Sequence, residues 1–311
     1  IAFTEDVAAR FMGYGWNVLR VGDAHDIDRI QHALGVFKAT RGRPTLIVLD
    51  SHIGYGSPNK QDTAAAHGEP LGDDEVRLTN GPWSFSRQRV AKELGLRSLL
   101  VLNDFEALAL SLPHLGALQI RPWGAAPVAQ GMLAVVGAGT GLGVAGVLQT
   151  PQGWHAVPGE GGHATLAGTD DFECQLLEHA RKSFSHVSAE RLLSGTGLPV
   201  LHRAVAAVLG VASETLSAEQ IIEQGLARRD AACDRTIDAF CALLGSFSGN
   251  VALTLGARGG VYVGGGIVPR LGERFFQSAF RQRFEAKGRY SSYLQTVPTA
   301  LIIDTMAALS A

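Results

Sequence analysis

The sequence predicts an α/β fold, and three observations predict it. Segments of helical and strand-like periodicity alternate along the chain. Pro44-Thr45-Leu46-Ile47-Val48-Leu49-Asp50 is a short, nearly continuous apolar run, the pattern of a strand covered on both faces of a parallel sheet. Three stretches pass from a strand straight into glycines or small polar residues, and open α/β sheets take their ligands beyond such strand ends. The 38 glycines in 311 residues agree with this, since ~7% is usual.

Each element has its own signal. Thr4 is placed to cap a helix carrying Val7, Ala8, Phe11 and Met12 on one face and ending at Gly13 and Gly15. Trp16–Val21 reads as a strand. A second helix starts near Asp26, with Ile27, Ile30, Ala33, Leu34 and Phe37 inward, and Gly42 stops it before the strand at Pro44. Residues 51–75 show no periodicity, so 51–80 is expected to be a functional loop and a boundary. Helical spacing resumes over Ser86–Leu94 until Gly95, and Ser98–Leu102 reads as a strand. Asp104–Leu112 reads as a helix ended by Pro113, and Met132–Val136 as a strand running into Gly137–Gly143. Residues 170–184 and 230–255 are helical, the latter closing at Gly256, and Val261–Val263 is a strand running into Gly264-Gly265-Gly266.

Composition narrows the function classes. Hydrophobic residues make up 46% and charged residues 18%, enough for a core. Lys and Arg total 27 against 29 Asp and Glu, and no basic run exceeds two residues, which argues against nucleic acid and against a polybasic membrane patch. No uninterrupted apolar stretch approaches the ~20 residues of a membrane span. Ile1-Ala2-Phe3-Thr4-Glu5-Asp6 lacks the basic start and apolar run of a signal peptide. Cys174, Cys233 and Cys241 include no Cys-x-x-Cys and are odd in number, so neither a disulfide framework nor a zinc site is expected. A reduced, cytoplasmic compartment fits.

Three turns carry the candidate chemistry. In Gly137-Ala138-Gly139-Thr140-Gly141-Leu142-Gly143, four glycines let backbone N–H groups approach an anion, and Thr140 adds a hydroxyl. No helical pattern follows, so a plain glycine-rich hairpin is the competing reading, and a Rossmann loop is disfavoured. In Asn103-Asp104-Phe105, an amide and a carboxylate stand at a strand end, although taken alone the pair is better explained by Asp104 capping the next helix. In Pro158-Gly159-Glu160-Gly161-Gly162-His163, glycines flank a Glu that has no local apolar packing to explain it. Glu190 reads as a first-turn helix residue, favourable for the dipole. Gly264–Gly266 is explained about equally by a flat ligand or by close backbone packing.

Residues 79–311 resemble the bacterial glucokinase family. The matching stretches are Leu78-Thr79-Asn80-Gly81-Pro82-Trp83-Ser84-Phe85-Ser86, Asn103-Asp104-Phe105, the Gly-Ala-Gly-Thr-Gly-Leu-Gly loop, Pro-Gly-Glu-Gly-Gly-His, Ser188-Ala189-Glu190-Arg191-Leu192-Leu193-Ser194-Gly195 and Gly264-Gly265-Gly266-Ile267-Val268-Pro269-Arg270, in the family's order. The resemblance implies an actin-like ATPase (ribonuclease H-like) fold of the two-domain hexokinase type. It implies ATP and Mg²⁺ as cofactors and D-glucose as substrate, with Asp104 as general base. Asn103, Asp104, Glu160, His163 and Glu190 would hold the sugar, His163 having a loop-ordering role as its competing reading. Gly139, Thr140 and Gly141 would face the phosphates, and Gly264, Gly265 and Gly266 the adenosine. A homodimer is usual for the family.

Residues 1–78 instead resemble an internal piece of transketolase. The matches are Phe3-Thr4-Glu5-Asp6-Val7-Ala8, Gly13-Tyr14-Gly15-Trp16, Gly42-Arg43-Pro44-Thr45-Leu46-Ile47, Ile53-Gly54-Tyr55-Gly56-Ser57 and His67-Gly68-Glu69-Pro70-Leu71-Gly72. By that resemblance His67 corresponds to a residue at a thiamine diphosphate site. The Asp-x-Gly-Gly-Thr-Asn hairpin that opens the glucokinase family and grips the β- and γ-phosphates has no counterpart here. The expected organisation is a transketolase-like segment at 1–78, part of the glucokinase small domain at 79–114, its large domain at 115–300, and a return toward the small domain at 301–311. The alternatives to a kinase are an inactive sugar-binding chimera and a transketolase fragment.

Overall fold

The computed structural model describes residues 7–22, 26–49, 75–77, 84–97, 99, 101–212, 214–304 and 307. It divides into two units, Ile1–Val101 and Leu102–Ala311.

In the first unit, α1 (Val7–Gly13), β1 (Asn17–Val21), α2 (Ile27–Ala39) and β2 (Thr45–Leu49) follow the expected alternation. The Asp26 side chain caps α2 by accepting from the Arg29 N–H at 3.0 Å. β1 and β2 pair in parallel, Asn17 opposite Thr45 and Val21 opposite Leu49. Two three-residue strands, β3 (Glu75–Arg77) and β4 (Ser84–Ser86), pair antiparallel. α3 (Arg87–Leu94) is capped by the Ser86 hydroxyl and ends at Gly95, whose φ of 65° is the left-handed stop that glycine allows. Thr4, Asp50 and the stretch 51–74, including His67, lie outside the described residues.

The strand expected over Ser98–Leu102 is a correction. Leu99, Val101 and Leu102 are described and are not in a strand. An apolar run becomes a strand only when a neighbour takes up its backbone groups, and among the described residues no strand pairs with this one.

The second unit is built on a six-stranded mixed sheet in the order β5-β10-β9-β6-β7-β8. β6 (Met132–Ala138), β7 (Leu142–Thr150) and β8 (Gly153–Gly159) form an antiparallel meander. β9 (Gly260–Gly264) pairs in parallel with β6 and with β10 (Thr299–Ile302), and β5 (Ile120–Trp123) closes the edge antiparallel to β10. Ala134, Val136, Val261 and Val263 point to one face, where they meet α5 (Asp171–Arg181), α6 (Leu198–Leu209) and α8 (Ala231–Leu255). Leu133, Val135, Val147 and Tyr262 point to the other, under Ala109 of α4 (Asp104–Ser111) and Leu112. α8 is long and apolar enough to cross a membrane, with mean hydropathy 1.3 over its best window, but 83% of that window is buried in the body, as a core helix requires. α7 (Ala218–Leu226) packs beside α8 behind a Ser217–Gln220 capping box. Past β9, α9 (Val268–Leu271), α10 (Glu273–Phe276), α11 (Phe280–Glu285) and α12 (Ser291–Thr296) lead to β10. At the sheet edge Trp123 sits among Phe275, Phe276 and Phe280 with ring centroids 5.2–5.7 Å apart.

Candidate active site

Every candidate sugar, phosphate and adenosine residue lies in the second unit, and most gather at one end of its meander. The glycine-rich loop is the tight turn between β6 and β7, so the hairpin reading of its backbone is correct. Gly137 pairs with Gly143, and the Gly139 N–H donates to the Gly141 carbonyl at 2.9 Å. This does not exclude an anion cradle. The amides of Thr140 and Gly141 donate to no backbone acceptor among the described residues, and two neighbouring free N–H groups at a glycine turn suit a phosphate oxygen.

Asn103, not Asp104, caps α4. Its Oδ1 accepts from the Phe105 N–H at 2.8 Å, and its extended backbone (φ −65°, ψ 152°) is that of an N-cap. Asp104 is the first helical residue; one of its oxygens also reaches the Phe105 N–H, at 2.9 Å, and the residue is exposed. Phe105 explains two of the glycines. A Cβ at Gly137 would stand 2.4 Å from the Phe105 ring, and one at Gly143 only 2.2 Å from it. The ring therefore lies flat across the Gly137–Gly143 pair, and the residue before it, Asp104, is held beside the turn.

β8 brings the second carboxylate. Its last residue, Gly159, pairs with Val144 of β7, and Glu160 follows immediately. The Glu160 carboxylate stands 3.8 Å from the His163 Nε2, with both side chains about two-thirds exposed at 66% and 61%. The His163 N–H donates to the Glu160 carbonyl at 3.0 Å, closing a single 3₁₀ turn. Loop ordering and ligand contact are thus both open to His163. Gly162 is needed because a Cβ there would meet the Leu142 carbonyl oxygen at 1.9 Å.

Glu190 is a correction. It lies in an irregular turn before α6, not in the first turn of a helix. One of its oxygens accepts from the Leu142 N–H at 3.0 Å, while its own N–H donates to the Gly162 carbonyl at 2.9 Å. A Cβ on Gly141 would lie 2.6 Å from that carboxylate. Two further contacts bind the same segment to the turn: the Gly195 N–H donates to the Gly139 carbonyl at 2.7 Å, and the Thr196 hydroxyl to the Thr140 carbonyl at 3.4 Å. Gly195 and Thr196 were not foreseen as site residues. Their only sequence signal is a Gly-Thr pair, which occurs elsewhere in the chain too.

The triple glycine after β9 divides by position. Gly264 pairs with Gly137, which brings this turn next to the hairpin. Gly265 has φ +86°, and a Cβ on it would stand 2.3 Å from the Ala138 carbonyl oxygen, so backbone packing alone demands glycine there. Gly266 is exposed with nothing within 4 Å of its would-be Cβ. Packing therefore explains Gly265, and Gly266 keeps the open space a ligand would need.

Asp104, Glu160 and Glu190 thus come to the same end of β7, through Phe105, through the β8 ladder and through the Leu142 N–H. Carboxylates there can accept short, directional O–H···O⁻ bonds from a polyhydroxylated ligand, and the free amides beside them can hold an anion.

A family profile described as Glucokinase matches residues 47–311. A glucokinase of Chromobacterium violaceum is 50% identical over 241 residues, covering 77% of this chain and 69% of its own. A glucokinase crystal structure from an Antarctic psychrotroph superposes with a TM-score of 0.77 at 33% identity, over 91% of this chain and 83% of that one. A ROK-family glucokinase from Streptomyces griseus, crystallised with glucose and AMPPNP, shares the fold alone, with a TM-score of 0.51 at 19% identity over 93% of this chain and 87% of that one. The profile begins well upstream of residue 79, and the psychrotroph superposition leaves under a tenth of this chain outside.

Proposed function

Because the chain belongs to the glucokinase family, with the mixed α/β sheet of the actin-like ATPase fold, we propose that it transfers the γ-phosphoryl group of ATP to the 6-hydroxyl of D-glucose, with Asp104 as general base. The observation that supports the residue assignments is that Asp104, Glu160 and Glu190 stand on segments packed at the same end of β7, beside two free amides of the β6–β7 turn. Glu160, Glu190, Asn103 and His163 hold the sugar hydroxyls. One oxygen of Glu190 is committed to Leu142, which leaves the other for the sugar. Asp104 accepts the proton of the attacking hydroxyl, and its place on the rigid first turn of α4 keeps it in reach as the nucleophile moves. Gly139, Thr140 and Gly141 meet the phosphates, and Gly264–Gly266, with Gly266 the open position, meets the adenosine. The oxygen donors around the turn suit Mg²⁺, which when bound offsets the phosphate charge.

The test is a coupled assay of glucose-dependent ADP formation with the Asp104→Asn variant. Turnover should fall by about 100-fold or more, while calorimetry still detects glucose. Turnover that survives the substitution would remove Asp104 from the mechanism.

The domain limits at 78, 114 and 300 belong to the same proposal, with residues 102–114 and the last residues of β10 packed in the second unit. So do a cytoplasmic location and a homodimer. The transketolase-like motifs of residues 1–78 add no activity to the proposal; a melting temperature unmoved by thiamine diphosphate with Mg²⁺ is the expected result.

A further inference from the structure

Three ligand-type side chains that are far apart in sequence meet on the helical face of the second unit. His202 lies on α6, Asp230 caps α8, and Cys233 is in the first turn of α8. One imidazole nitrogen, one carboxylate oxygen and the Cys233 Sγ all lie within 4.8 Å of one another. His202 is 3% exposed and Cys233 fully buried.

The local hydrogen bonding leaves this group incomplete. Asp230 accepts from the Cys233 N–H at 2.6 Å, as an N-cap should. The Cys233 thiol faces the Asp230 carboxylate as a hydrogen-bond donor and stands 3.8 Å from the Gln224 Oε1 of α7. Among the described residues no hydrogen bond reaches either ring nitrogen of His202. A buried imidazole without a partner is costly, and the lone pair it offers points to something that completes the group.

The donor set identifies the class of ligand. Nitrogen, sulfur and a single carboxylate oxygen match Zn²⁺ and not the all-oxygen preference of Mg²⁺ or Ca²⁺. Tetrahedral Zn²⁺ with bonds of about 2.0–2.3 Å puts its ligand atoms about 3.3–3.8 Å apart, so the three atoms need to close by about 1 Å. We propose that His202, Asp230 and Cys233 form a structural Zn²⁺ site that staples α6 to the N-terminus of α8, with water or the Gln224 carbonyl oxygen in the fourth position. On binding, the thiol proton is released to solvent and the S–Zn bond takes its place. The sequence concealed the site because its ligands come from two helices and a cap, with no paired-cysteine spacing. It is independent of the proposed phosphoryl transfer.

The test uses the full, tag-free chain stripped of metal with a chelator. Co²⁺ should bind with one-to-one stoichiometry and give a thiolate-to-cobalt charge-transfer band, Zn²⁺ should displace it, and Zn²⁺ should raise Tm. Asp230→Asn keeps a capping acceptor and His202→Gln keeps a polar side chain, so both should fold, as circular dichroism will verify, yet bind about tenfold or more weakly. Cys233→Ser should lose the band, whereas Cys174→Ser, at an exposed cysteine elsewhere, should change nothing. A wild-type chain with no thiolate band overturns the proposal, as does binding that survives both Asp230→Asn and His202→Gln; in those cases water completes the group.

Discussion

Phe105 and the glycines beneath it show how a single ring positions chemistry. Gly143→Ala would drive a methyl into a ring 2.2 Å away, and over-packing of this kind costs about 1–3 kcal/mol. Since Asp104 is displaced with the ring, kcat should drop by a larger factor than KM for glucose rises; stopped assays at saturating glucose, paired with thermal melts, will separate the two effects. Glu190→Gln should raise KM for both substrates, because the same carboxylate that would hold the sugar also fixes the Leu142 N–H of the turn. Steady-state kinetics with each substrate varied in turn checks this. At this scale the sequence was informative about side chains and silent about what they touch. Glu160 stood out because its flanking glycines left it without a packing role, whereas Asp104 and Glu190 had plain helix readings and were singled out by the family resemblance. The bond from Glu190 to Leu142 spans 48 positions, and nothing in a local window points to it. Asn103 took the cap because the residue just before a helix has the extended backbone a capping side chain needs, which Asp104, already helical, lacks.

At the scale of elements, legibility followed the punctuation. Asp26, Ser86, Asp230, Gly95 and Gly256 set helix ends as expected, each by a capping bond or a left-handed glycine. Short strands such as β5 and β10 were missed, because a strand is created by its neighbours and four residues carry little periodicity. The expectation over Ser98–Leu102 failed the other way, an apolar run that no strand pairs with among the described residues. Some elements are locked by charge. Arg283 of α11 reaches Asp170 at the start of α5 and the Glu173 carboxylate at 2.5 Å, and Glu173 is only 2% exposed. Arg283→Met should cost about 3–5 kcal/mol by leaving that carboxylate buried without its cation, measurable by urea unfolding. Asp170 is held below the usual carboxylate range, first by the Glu173 N–H and then by Arg283, against the opposing effect of burial. A depressed folded-state pKa gives stability that is present above the unfolded value and lost as pH falls through the folded one. Acid melts should therefore show wild type losing stability below about pH 4, and Asp170→Asn losing less over that window.

At the largest scale, the six-stranded sheet of the second unit, with helices on both faces, supports the site from behind. Phe240 of α8 is 1% exposed within the larger core, and Phe240→Ala should cost about 3–5 kcal/mol, seen as a lowered urea midpoint. Glucose at a hundred times its Kd should stabilise the chain by about 2.7 kcal/mol; a Tm unchanged by glucose would count against the sugar site. The sheet's strand order has a further consequence during synthesis. The β6–β7–β8 meander is assembled from adjacent stretches and can form as soon as it leaves the ribosome. β6, however, finds its other partner only at β9, with Leu133 opposite Gly260, and β9 in turn waits for β10. While the chain from Gly159 at the end of β8 to Gly260 at the start of β9 is being made, the inner edge of the nascent meander stands with its ladder unfilled, the interval in which a chaperone has most to do.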